Sequence, residues 1–134
     1  FFLLFFWNEL LKFSRRSEYT MNRWAARYGY EHTPKAIMDK AKKGGNGRYA
    51  AVNLCNYHTV EFRLFRGTLK YNTFVATIQL VNRICDAAMY NTDDSIAKLS
   101  WSDFVADITE PELIQYLKER QLYINKEVQT EEEM

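Results

Sequence analysis

Two cysteines and two histidines in 134 residues exclude most chemistry that runs on thiols, imidazoles or zinc. A structural zinc site needs four N or S ligands at close spacing. Here Cys55-x-x-His58 is the one short pair, with His32 and Cys85 scattered. Core thiols and a turn histidine account for them more simply. Cys55 and Cys85 are expected as free buried thiols rather than a disulfide. No Gly-rich phosphate loop ending in Lys-Ser or Lys-Thr occurs, and no nucleophile motif. Charge of either sign is also missing in bulk. Eighteen Lys and Arg against 17 Asp and Glu give +1, so no global field draws nucleic acid or a membrane surface. The longest apolar run, "FFLLFFW", is seven residues, too short to cross a bilayer. It lacks the basic leader and small-residue cleavage site of a signal peptide, and a cytoplasmic location is expected.

Apolar side chains are abundant, with 47% of residues hydrophobic and 16% aromatic. That is enough for an ordered core in one domain, residues 1–134. Phe6, Leu3, Leu4, Trp7, Leu10 and Leu11 recur at helical spacing, giving a first helix to about Phe13 that is apolar nearly all round. That opening reads as the middle of a core, so the chain is expected to be the C-terminal part of a longer enzyme. Its apolar flank over residues 1–13 is expected to drive self-association. Ser17 caps a second helix, "SEYTMNRWAARYG", and Thr33-Pro34 opens a third. "RYAAVNLC" and "TVEFRLFR", joined by Asn56-Tyr57-His58, predict an antiparallel hairpin over 48–55 and 58–66. A long helix follows over 72–90, with Phe74, Ile78, Val81, Ile84, Cys85 and Ala88 as its apolar face. A short helix capped by Ser100 or Ser102 has Trp101 and Phe104 in the core. A last helix opens on a Thr109-x-x-Glu112 capping box. The acidic end, 126–134, is expected to be a disordered tail. The fold class is α+β, one hairpin packed with several helices.

The second strand places charge inside an apolar run. Period two sets Val60, Phe62 and Leu64 on one face and Thr59, Glu61 and Arg63 on the other. Glu61 and Arg63 thus present a carboxylate and a guanidinium to one point. A carboxylate suits Mg²⁺ and a guanidinium grips phosphate bidentately. A solvated sheet face with a surface ion pair would use the same residues.

The stretch "RYAAVNLCNYHTVEFRLFRGTLKYNTFVATIQLV" resembles the phage- and plasmid-associated amidoligases, distant relatives of glutamine synthetase among carboxylate–amine ligases. Two adjacent strands of that superfamily carry a basic element and then a Glu-x-Arg element. Here these read Arg48-Tyr49-Ala50-Ala51-Val52-Asn53 and Thr59-Val60-Glu61-Phe62-Arg63, followed by Tyr71-Asn72. "LLKFSRRSE" and "RWAARYG" are similar to the family as well, so the likeness spans about 1–125. Asn53 stands where relatives often have a second arginine, and Thr59 where they often have a basic residue. The family's His-x-His strand motif is not in this sequence.

The resemblance implies the C-terminal part of a glutamine synthetase-like core and an ATP- and Mg²⁺-dependent ligase joining a carboxylate to an amine. ATP converts the carboxylate to an acyl phosphate, with ADP leaving. The amine then displaces phosphate to form the amide. Glu61 would be the metal ligand, and Arg63 and Arg66 would serve catalysis. Arg48, Asn53, Arg15 and Arg16 would contact nucleotide or substrate. Such chemistry rests on positioning and charge neutralisation. This portion alone is expected to be inactive. A nucleic-acid-binding sheet using Tyr49, Tyr57, Phe62, Phe65, Arg63 and Arg66 is one alternative. A structural interaction module of a mobile element is the other.

Overall fold

The computed structural model describes residues 2–20 and 50–123. The expected third helix, most of the second, Arg48 and the acidic tail lie outside the described residues. In chain order the described helices are α1 (Phe2–Phe5), α2 (Trp7–Ser14), α3 (Tyr71–Tyr90), α4 (Asp93–Ala97), α5 (Trp101–Ala106) and α6 (Pro111–Glu119). Strands β1 (Val52–Asn53) and β2 (Glu61–Phe62) pair antiparallel, Val52 opposite Phe62 and Asn53 opposite Glu61. The class is α+β, mostly helical.

The apolar opening is core within this chain. Phe2, Phe6, Trp7, Leu10 and Phe13 are all buried within the chain itself. Phe6 meets Phe2 at 4.8 Å and Trp101 at 5.6 Å between ring centroids, and Phe2 meets Phe104 at 5.0 Å. These tilted and edge-on contacts are the preferred aromatic geometries. The described rings expected to drive self-association, Phe2, Phe6, Trp7 and Phe13, are covered within the chain, with Phe2 and Phe6 packed on α5. Among the described rings of this segment, Phe5 is left partly in solvent, 43% exposed.

Hydrogen bonds pin the ends of these short helices. The last four carbonyls of α2 have no partner within the helix, and each finds one outside its ladder. Leu11 O accepts from Ser14 Oγ at 2.6 Å, and Lys12 O from the Arg120 guanidinium at 2.9 and 3.1 Å. Phe13 O accepts from Tyr116 Oη at 2.8 Å, and Ser14 O from the Arg66 amide at 3.1 Å. Ser100 caps α5 in a reciprocal box with Asp103, and Ser17 accepts the Thr20 amide as an N-cap should.

The last helix starts differently from expectation. With Pro111 at its first position, Glu110 and not Thr109 is the N-cap. Glu112 is therefore not tied back to Thr109. It accepts from Gln79 Nε2 at 3.0 Å, while Gln79 Oε1 accepts the Leu113 amide. Arg83 grips both Glu110 carboxylate oxygens and reaches Thr109 Oγ1. These polar links lock α3 along α6.

That locking turns α3 by part of a turn from the face read in its sequence. Thr73, Ala76, Leu80 and Ile84 are buried, whereas Phe74 and Ile78 are each 55% exposed. The helix is apolar on two faces, and the polar partners on α6 select which one is covered. Trp101 and Phe104 are buried as expected. The cysteines are free but are not core thiols: Cys55 is exposed and Cys85 half-buried.

Candidate functional site

The hairpin is shorter than its alternation suggests, and Asn53 is the reason. Its side chain, 3% exposed, accepts the Cys55 amide at 2.9 Å and donates to Asn56 Oδ1 at 3.3 Å. Such an Asx-type turn pulls the backbone out of the ladder. Asn56 then donates to Thr59 Oγ1, so residues 54–60 form a loop. Val60, expected in the core, is 56% exposed for this reason. Leu64 is fully buried and Phe62 half-buried, as the alternation requires. The pairing extends one step past β2, where the Arg63 amide donates to Ala51 O at 2.8 Å.

Glu61 and Arg63 share one face of β2 and touch: Arg63 Nη1 lies 3.2 Å from Glu61 Oε1. Both side chains are half-sheltered from solvent. Directly opposite residues of an antiparallel pair project to the same side, so Asn53 belongs to this face too.

Arg15 and Arg16 approach the same strand from the end of α2. Arg16 Nε donates to Leu64 O at 3.1 Å, and Arg16 Nη2 to Arg63 O and Phe65 O at 3.3 and 3.4 Å. Arg15 adopts the left-handed conformation, φ 62°, and Arg15 Nη2 donates to Arg66 O at 2.6 Å. Its Nε is buried without a hydrogen-bond partner. Both arginines brace residues 63–66, and both sit where the negative end of the α2 dipole favours cations. Burial, then the nearby Arg63 and Arg66 charges, lowers the pKa of Arg16.

Of the residues singled out in the sequence, Glu61 pairs with Arg63, while Arg15 and Arg16 hold the backbone of residues 63–66, where Arg16 also feels the Arg63 and Arg66 charges. Asn53 joins the sheet face as a loop-closing residue, and Arg48 lies outside the described residues.

A groove opens on the other side of the strand. It encloses about 330 Å³ and is lined by Phe62, Phe65, Arg66, Phe74, Ile78 and Val81, with Gly67, Thr68 and Thr77 completing the wall. Glu61 and Arg63 are not among its lining residues. Arg66 is exposed and belongs to both features. The sequence assigned these apolar groups to the core. The available signal was that α3 carries more apolar residues than one buried face can hold.

Among the described residues no group of three or more His, Cys, Asp or Glu gathers to hold a metal. Glu61, paired with Arg63, offers one protein ligand group at most. No described helix is long and apolar enough to cross a membrane. No family model matches the chain, and no curated protein or solved structure is significantly similar to it.

Proposed function

We propose that this chain supplies the phosphate-handling part of an ATP- and Mg²⁺-dependent carboxylate–amine ligase. The observation that carries the reading is the cluster itself. Arg63 pairs with Glu61, and Arg15 and Arg16 brace the backbone of residues 63–66, from which Arg66 also projects. Guanidinium groups bind phosphate oxygens through paired, charge-assisted hydrogen bonds. A rigid frame for them is what charge stabilisation of a transferring phosphoryl group requires. The braces serve that end by fixing the backbone from which Arg63 and Arg66 project.

In this reading Glu61 holds the metal of the nucleotide, and magnesium neutralises phosphate charge when bound. Arg63 must then exchange its contact with Glu61 for the phosphoryl oxygens. Arg66 orients the substrate carboxylate or its acyl phosphate. The glutamine synthetase-like architecture and the cytoplasmic location are parts of the same proposal.

The test is amine-dependent phosphate release from ATP and Mg²⁺ by the full-length protein. Glu61→Gln keeps shape but removes the metal charge. Arg63→Lys keeps charge but loses the planar fork. Each is expected to lower turnover by about a hundredfold, the scale of losing one transition-state partner. Wild-type rates in both variants would reduce the pair to a surface ion pair and end this reading.

A further inference from the structure

We infer that the groove between β2 and α3 binds the apolar body of a small amphipathic carboxylate, with Arg66 holding the carboxylate. The inference rests on the ligase reading only in calling that carboxylate the substrate; the binding itself stands on the groove.

Three observations support it. The groove walls are aromatic and aliphatic, and Phe74 and Ile78 stay 55% exposed on a helix whose other face is fully packed. Large apolar groups at that exposure, gathered around a concavity, mark a binding surface rather than scattered surface hydrophobes. The volume, about 330 Å³, is at the small end of ligand sites and favours a metabolite-sized body.

Charge settles which end of the ligand is polar and of which sign. Arg66 stands at the rim, exposed, and no carboxylate pairs with it among the described residues. Arg16 feels the charges of both Arg66 and Arg63, and among the described residues no acidic side chain lines the groove. A cation or a neutral polar head has no acceptor charge to meet there. An anionic head finds Arg66, with the Thr68 hydroxyl among the lining groups to donate to it. Arg66 also links the groove to the arginine cluster, so a carboxylate held there lies on the side from which a phosphoryl group would be delivered.

The experiment uses 4-phenylbutyrate as the anionic probe, its neutral amide as the charge control and butyrate as the control for the apolar body. Titration calorimetry of the full-length protein is combined with methyl NMR of Ile78 and Val81, without nucleotide. Saturable binding of phenylbutyrate is expected, with shifts at both methyls. The amide and butyrate should each bind about tenfold more weakly, the scale of one charge-assisted contact or of the lost ring. Arg66→Gln should erase the preference for acid over amide. Ile78→Asp, on an exposed position that leaves the core methyls of Ile84 and Ile96 unshifted, should abolish binding. Absence of saturable binding overturns the inference, as does equal affinity for acid and amide, or shifts confined to other methyls. Phosphate release separates the two proposals. Binding without ligase activity leaves the groove standing and sinks the ligase. Ligase activity without phenylbutyrate binding does the reverse.

Discussion

The hydroxyl of Tyr116 donates to the carbonyl of Phe13 at 2.8 Å, joining the last described helix to the end of α2 across 103 positions of sequence. The rings of the two residues also meet edge to face, with centroids 4.6 Å apart. One contact thus caps a helix and closes the core. Burial, ahead of all other influences, raises the pKa of the Tyr116 phenol, which favours its protonated, donating form. Tyr116→Phe keeps the ring and strands the carbonyl. It is expected to destabilise the protein by about 1–3 kcal/mol, the cost of an unmet buried acceptor. Denaturant unfolding should show a lower midpoint with an unchanged slope.

Arg16 braces the charged strand through three backbone carbonyls. Arg16→Met keeps the aliphatic stem and removes all donors. The expected result is faster amide hydrogen exchange over residues 61–66, with the exchange of α3 and α6 unchanged. Arg16→Lys should recover only part of the protection, because one ammonium cannot span three carbonyls in a fixed plane. Equal exchange in all three proteins would show that the strand is held by its core contacts alone.

The pair Arg83–Glu110 predicts an acid dependence. Hydrogen bonds from Arg83, foremost among several causes, hold the Glu110 carboxyl at about 2, below its ordinary value of 4.5. A depressed carboxyl pKa means that the unfolded chain takes up this proton first as pH falls. The pair's contribution is therefore complete above about pH 4.5 and is lost on descent toward pH 2. The two side chains are 26% and 22% exposed, so solvent screens them in part. With that screening the contribution is about 1–2 kcal/mol. Glu110→Gln should lower stability at pH 7 by that amount and flatten the decline between pH 4.5 and 2. A parallel decline in both proteins would show the pair to be inert.

Gln121 occupies the left-handed region, φ 57°, just past α6. The Gln121 amide returns to Lys118 O at 3.0 Å and the Leu122 amide to Leu117 O at 2.7 Å. This is the Schellman pattern, and Leu117 and Leu122 are both buried beside it. Glycine adopts this conformation without the Cβ clash. Gln121→Gly is expected to raise stability by about 0.5–1 kcal/mol, read as a higher melting temperature. A lower one would mean that the left-handed geometry costs this residue nothing.

Local rules determined much of this protein from the sequence alone. The ends of α2 and α3, the Ser17 and Ser100 caps, and the central antiparallel pairing with Glu61 and Arg63 on one face follow from periodicity, capping and turn chemistry. Those rules act within a few residues, so a single sequence carries them. What it could not carry was the choice among equivalent surfaces. Helix α3 has two apolar faces, and only the docking of Gln79 and Arg83 on Glu110, Leu113 and Glu112 decides that Leu80 is covered while Ile78 borders a groove. The apolar opening was equally legible as helix, yet whether its rings met a second chain or their own α5 depended on where Trp101 and Phe104 come to lie. Arg15 and Arg16 read as cations seeking a ligand. Tertiary structure set them against backbone carbonyls some fifty residues away, because the end of a helix needs partners and the strand beside it needed a brace.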